Sequence, residues 1–302
     1  MSFLPTAAAL TERLPRALRR HKAMKAWMWL TGESPVQLVR IRDRSFAYSD
    51  MSDGFNRLIP IEGGTDADFF PIADALLENG GTFFDVGANF GLLSFGLAGR
   101  HGAAIDFHLF EPNPRLLETI ARSRQLYPEM RCTVNPVAVA DSPGEVRFSI
   151  DDRQTGVSHI STADETGGLV VPAITLDAYL AASGVEKVDL LKIDVEGFEL
   201  TALRGAAEAL RTRRIRAVYF EYFEKYLIRV GPPQELIDFL GSRGFVTCFC
   251  RTCDYGPRGG PTHTLASGLP GHGLALLPAA GLERPAMTDL LAVPAEHLVP
   301  LA

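Results

Sequence analysis

The stretch Phe83-Phe84-Asp85-Val86-Gly87-Ala88-Asn89-Phe90-Gly91 constrains this chain more than any other. A short apolar run ends on an aspartate, and two glycines flank a tight turn before an apolar segment that starts at Leu92. The pattern reads as the first strand, glycine loop and first helix of a nucleotide-binding α/β sheet. Glycine at 87 and 91 permits positive φ and a close approach of backbone to ligand. The spacing is Asp-x-Gly-x-Asn-x-Gly. It lacks the third glycine of a dinucleotide fingerprint, and no Lys-Ser/Thr pair follows, which excludes a P-loop. Asp85 would repel a phosphate and suits an ammonium.

Those preferences fit S-adenosylmethionine, which carries a ribose, an adenine, an ammonium and a sulfonium, and no phosphate. Asp106 to Phe110 reads as the next strand, and Glu111 ends it about two dozen residues after Gly87. A doubly wound sheet places its ribose-binding acid there. Pro112-Asn113-Pro114 then opens a helix over Arg115 to Tyr127. Val134 to Asp141 reads as a third strand running into a small-residue turn. Ala140 and Asp141 could frame the adenine, or Asp141-Ser142-Pro143-Gly144 could simply turn the chain. The candidate cofactor contacts are Asp85, Gly87, Ala88, Asn89, Gly91, Glu111, Pro112, Asn113, Ala140, Asp141 and Asp194.

A second motif is Val188-Asp189-Leu190-Leu191-Lys192-Ile193-Asp194-Val195-Glu196-Gly197. Lys192 interrupts an apolar run that reads as a buried parallel strand, so it requires a carboxylate partner. Strand periodicity places Lys192, Asp194 and Glu196 on one face. Arg216 to Tyr222 reads as another buried strand, with Glu221 near its end to bind substrate or to pair with Lys192 or an arginine. The polar segment Asp151 to Pro172 falls between the third and fourth core strands, and its His159 reads as a base, a metal ligand or a solvated loop histidine. Asp194 is the first candidate base, with Glu196, Glu221 and His159 behind it.

Asp85-Val86-Gly87-Ala88-Asn89-x-Gly91, Glu111-Pro112, Thr175-Leu176-Asp177 and Lys192-Ile193-Asp194-Val195-Glu196-Gly197-x-Glu199 together resemble the FkbM family of S-adenosylmethionine-dependent methyltransferases. The resemblance covers roughly residues 55 to 250, in the family's order and spacing. It implies a Rossmann-like class I methyltransferase sheet of seven strands, mostly parallel with the last antiparallel. It also implies O-methylation of sugars, polyketides or other small hydroxylated molecules. A cofactor-binding scaffold without turnover and a nicotinamide oxidoreductase are the other classes to weigh.

Net charge is −6, so a general basic field for nucleic acid is not expected. No run of 18 apolar residues marks a membrane span, and a cytoplasmic enzyme is the default. Arg13, Arg16, Arg19, Arg20, Lys22 and Lys25 precede Trp27-Met28-Trp29. They suit an amphipathic helix packed on its own domain, on a homodimer mate or on a membrane surface. Val36 to Ile61 reads as two short strands around Ser52-Asp53-Gly54, so residues 1–62 form a helix and hairpin extension to a domain over 63–302. Asp68 to Asn79 reads as a helix leading into the first strand, and Glu145 to Ile150 as an extra strand. Cys248, Cys250 and Cys253, with His263 and His272 following, admit a zinc reading but fit buried thiols of the strand Phe245 to Arg251, and no metal is assigned. Residues 252–287 read as a long substrate-side cover leading to a seventh strand, Thr288 to Ala295.

Overall fold

The computed structural model describes residues 30, 32, 34–54, 56, 69–151, 154–162, 164–250, 262–280 and 284–301. The amphipathic segment before residue 30, with its dimer reading, and Cys253 lie outside the described residues. No helix among the described residues is long and apolar enough to cross a membrane.

Seven strands form the central sheet. They are β3 (Gly81–Val86), β4 (Ile105–Phe110), β5 (Arg131–Asn135), β10 (Leu190–Ile193), β11 (Val218–Phe223), β12 (Phe245–Cys250) and β15 (Met287–Pro294). Their order is β5-β4-β3-β10-β11-β15-β12. All pairings from β5 to β11 are parallel, and β15 runs antiparallel to both neighbours. This is the doubly wound methyltransferase sheet anticipated above, with its seventh strand inserted between the fifth and sixth. The chain reverses its direction of winding between β3 and β10, which are direct neighbours.

Strands buried on both faces need apolar residues at successive positions. Phe83 and Phe84 supply them: Phe83 enters the core on one face with Phe69, Phe95 and Phe107, and Phe84 enters the other with Phe110, Leu191 and Ile193. Each large side chain so buried contributes roughly 1.5–3 kcal/mol. Helices α1 (Phe69–Leu76) and α2 (Leu92–His101) cover the first face. Helices α4 (Leu176–Ser183), α5 (Glu199–Arg204), α6 (Ala207–Arg211) and α8 (Gln234–Gly241) cover the second. Helix α3 (Pro114–Arg124) is capped by Asn113, whose Oδ1 accepts from the Arg115 amide at 3.1 Å.

Several sequence expectations change. The hairpin is β1 (Val36–Arg42) and β2 (Ser45–Asp50), with its turn at Asp43-Arg44 rather than at Ser52-Asp53-Gly54. The hairpin packs into the first core through Val39, Ile41, Ala47 and Met51. Tyr127 Oη bonds both the amide and the carbonyl of Phe46 at 2.7 Å. The third core strand ends at Asn135, because Pro136 cannot donate to a ladder. The chain then enters a second sheet, in which β6 (Ala138–Val139) joins β7 (Gly144–Ser149), β8 (His159–Ile160) and β9 (Leu169–Ile174) in the order β6-β9-β7-β8. The segment expected as a polar loop therefore contains two strands.

Residues 262–280 are likewise not a cover. They contain β13 (His263–Leu265) and β14 (Leu276–Pro278), which lengthen the sheet beyond β12 and end on β16 (Leu298–Pro300), for ten strands among the described residues. Leu265 and Leu276 join the first core. Cys248 and Cys250 are buried in β12, and burial pushes the Cys248 thiol up to about 12.

Candidate active site

The carboxyl ends of β3, β4, β10 and β11 open on a cleft of about 740 Å³. Open α/β sheets bind ligands at such a reversal of winding. Eight of the sequence candidates line it: Gly87, Ala88, Asn89, Glu111, Pro112, Asp194, Glu196 and Glu221.

One end is built around Glu111. Its Oε2 accepts from the Asn89 amide and its Oε1 from the Asn113 amide, each at 2.9 Å. Asn89 reaches that position through a left-handed φ of 52°. Burial raises the Glu111 carboxyl to about 7, against the pull of the two amides and of Lys192. Each oxygen keeps a further lone pair for a hydroxyl. Gly87, at φ 73°, has its amide on the Phe110 carbonyl at 3.1 Å, and a Cβ there would run into the Asp194 carbonyl. The wall beside Glu111 comes from Phe110, Leu92, Val137, Ala138 and Val139. Ala140 and Asp141 do not line the cleft. Pro136 ends β5 early, so the small-residue wall falls two positions sooner. Ala140 is bonded behind it to the Ile174 carbonyl, and Asp141 is exposed.

Asp85, Gly91 and Asn113 also support the cleft without lining it. Asp85 is 1% exposed and accepts from Ser94 Oγ at 2.6 Å. It is buried between Ser94 and Lys192. Gly91 is the N-cap of α2 at φ 81°, packed on the Phe95 ring. Lys192, 5% exposed, has the carboxylate partners that its burial requires. Its Nζ donates to the Gly87 carbonyl at 2.8 Å and lies 3.4 Å from Asp85 and 3.5 Å from Asp194. One buried cation thus ties the glycine loop to the β10 turn.

The other end is acidic. Asp194, Glu196 and Glu221 bring carboxylate oxygens within 4.8 Å of one another, a spacing that hard-cation ligands also show. Glu221 faces Asp289 directly across the β11–β15 ladder, and Asp289 lines the cleft too. Glu196 does not arrive by strand periodicity, since β10 ends at Ile193. It arrives by a turn at φ 57°. Burial, then the charges of Asp194, Glu221 and Glu199, push its carboxyl up to about 9. Within the acidic trio, Glu196 is therefore the carboxyl most favoured to carry a proton. Phe223 and Tyr226, edge to face at 4.5 Å, stand on the same side of the cleft.

Gln154 to Ser158 close the cleft from the second sheet. Asp53 pins this segment by accepting from the amide and hydroxyl of Thr155 at 2.5 and 3.0 Å. His159 is not among the lining residues. Its Nδ1 lies 2.8 Å from the Val157 carbonyl, its Nε2 2.9 Å from Glu165, and its ring stacks on Phe198. Both nitrogens are engaged in holding the segment, which leaves none for an acceptor's proton. Sequence reasoning missed Asp53, Phe223, Tyr226 and Asp289. Only Asp289 had a signal, as an acid at the start of the seventh strand.

The methyltransferase FkbM domain matches residues 85–247, more than half the chain. The chain belongs to the FkbM methyltransferase family. The match contains the residues that line the cleft except Met287, Thr288 and Asp289 of β15. Two curated relatives are similar to this FkbM chain. The 2-O-methyltransferase NoeI of Sinorhizobium fredii is 28% identical over 47% of this chain and 64% of its own length. The hexuronic acid methyltransferase AglP of Haloferax volcanii is 26% identical over 45% of this chain and 54% of its own. The chain thus spans less than two thirds of either relative. A solved S-adenosylmethionine-dependent O-methyltransferase from Thermotoga maritima aligns over 88% of this chain and 80% of its own at 11% identity and a TM-score of 0.40, which adds nothing to the strand order. The residue set fits S-adenosylmethionine: a carboxylate for the ribose diol, an apolar wall that includes Ala138 and Val139, and an acidic far end.

Proposed function

We propose that this FkbM chain is an S-adenosylmethionine-dependent O-methyltransferase acting on a hydroxyl of a sugar, glycan or other small natural-product intermediate. The observation that carries this reading is the polarity of one cleft: Glu111 at one end, and Asp194, Glu196 and Glu221 at the other. The 2-O-methyltransferase NoeI supports an oxygen acceptor, and the hexuronic acid methyltransferase AglP supports a sugar-derived one. A domain over 63–302 with residues 1–62 as its extension, a cytoplasmic location, and an absence of nucleic-acid partners belong to the same proposal.

When bound, S-adenosylmethionine supplies an electrophilic methyl group on a sulfonium. Glu111 holds the ribose hydroxyls, while Gly87 and Asn89 shape the loop over the remainder. Lys192 keeps that loop and Asp194 in fixed relation. Asp194 accepts the acceptor hydroxyl's proton, which a weak aliphatic nucleophile must shed. Glu196, protonated, donates to a neighbouring oxygen of the acceptor and fixes its angle. Much of the acceleration comes from holding the nucleophile in line.

Isothermal titration with S-adenosylhomocysteine tests the cofactor end. Absence of binding to the wild-type protein would sink the assignment. Asp194→Asn is expected to bind that product normally and to lose turnover. Extracts of cells with and without the protein, compared for a difference of about 14 Da, identify the acceptor by the CH₂ that the chemistry adds.

A further inference from the structure

Glu196 occupies the left-handed region at φ 57°, although it carries a Cβ and is neither Asn nor Asp. Such conformations persist where the surroundings over-determine them, and they gather at functional sites. The turn around it is fixed from two directions. The Asp194 amide donates to the Val86 carbonyl at 3.1 Å. The Glu199 carboxylate accepts from the Val195 and Gly197 amides at 3.0 and 3.2 Å. These bonds hold the residues on either side of Glu196. Its own carbonyl accepts from Arg229 Nη1 at 2.8 Å.

Arg229 is itself braced. Its guanidinium lies 4.3 Å from the centre of the Tyr226 ring, and Tyr226 stands edge to face on Phe223. Phe223 ends β11, the strand that carries Glu221. Gly197 packs against the Tyr226 carbonyl so closely that a Cβ has no room. Arg229 does not line the cleft, so it reaches the acceptor only through Glu196.

We propose that Arg229 is a positioning residue that clamps the Glu196 turn in its left-handed form, so that the Glu196 carboxyl stands with Asp194 and Glu221. The proposal rests on the reading that this trio works on the acceptor. Without the clamp the turn relaxes toward negative φ and carries the carboxyl out toward water.

The test follows the Glu196 carboxyl by NMR in protein labelled with ¹³C at glutamate side chains, free of ligand and with EDTA present. Glu196→Gln identifies the resonance by its loss. In the wild type its midpoint is expected well above the ordinary carboxylate range, near the raised value of about 9. Asp194, Glu221 and Glu199 push it up and Arg229 pulls it down. Loss of the guanidinium charge alone therefore raises the midpoint, whereas release of the turn lowers it. Arg229→Gln is expected to lower the midpoint by at least about one unit, because burial and like charge are both relieved. Arg229→Lys keeps the charge and a donor, and is expected to restore the wild-type midpoint. A midpoint in Arg229→Gln at or above that of the wild type overturns the clamp. If that variant does not fold, Tyr226→Leu decides by the same criterion, since it removes the brace and leaves every charge in place. The wider reading fails separately: undiminished methyl transfer by Glu196→Gln would remove Glu196 from the chemistry and leave the clamp result standing.

Discussion

Glu111 has two duties that pull against each other. Its carboxylate must be desolvated to shape the cleft, yet ionised to accept strong bonds from hydroxyls. Two backbone amides and the nearby Lys192 keep the balance close to neutral pH. A hydrogen bond to a charged group is worth about 1.5–3 kcal/mol. Glu111→Ala is therefore expected to weaken S-adenosylhomocysteine at least about tenfold by calorimetry and, because the Asn89 and Asn113 amides lose their acceptor, to lower the melting temperature of the free protein by a few degrees. Glu196 makes a different prediction. Burial and the neighbouring carboxylates raise its carboxyl to about 9. If donation matters, turnover falls as pH rises through that value. Glu196→Gln, neutral at every pH, should abolish this alkaline limb in a pH–rate profile; a limb that persists assigns it to another group.

At the scale of elements, the turn after β10 gathers Asp194, Glu196 and Glu199. Glu199 is fully enclosed, and burial raises its carboxyl from 4.5 to about 7. Between those values the native state binds more protons than the unfolded chain, so stability falls as pH rises across that window. Glu111 adds the same slope from the same cause. Thermal melts of the free protein should therefore decline from about pH 5 to about pH 8, and Glu199→Gln should flatten that decline. An unchanged slope would place the titration elsewhere. The same element shows what sequence can and cannot reveal. The charged sequence around Lys192 announced a buried strand whose end faces a ligand, because a lone lysine in an apolar run has few other uses. Period-two spacing did not bring Glu196 to the cleft, since the strand stops three residues before it. A backbone angle does that, and no spacing rule encodes it. Ala140 and Asp141 failed for a related reason: Pro136 shifts the wall, and the shift depends on a second sheet whose strands are only two residues long at β6 and β8.

Across the whole molecule, the cleft draws on parts distant in sequence, from Asp53, which holds Thr155 in its wall, to Asp289 on β15. The glycine loop, both core acids and the strand alternation were legible because they are local. The β13–β14 extension was not, because its short strands are apolar only where they meet β12 and the first core. Tyr127 joins the hairpin to α2 and α3, stacking on Phe95 while bonding Phe46. Tyr127→Phe removes two backbone bonds at the far end of the fold. It is expected to cost about 1–2 kcal/mol, read as a fall of a few degrees in Tm, and to leave S-adenosylhomocysteine affinity unchanged. A drop in affinity would show that the hairpin supports the cleft more directly than its contacts indicate.

The insertion of β15 between β11 and β12 also bears on how the protein is made. Both flanking strands leave the ribosome first and must wait with bare edges turned toward each other's place in the sheet. Until β15 threads between them, Asp289 is missing from the cleft and the apolar faces of Leu290 to Val293 have no partner. Pairing so distant in sequence is slow to form and exposed to aggregation in the meantime. A nascent chain of this kind can build the Glu111 end of its cleft early, but it completes the acidic end only when β15 has paired with β11.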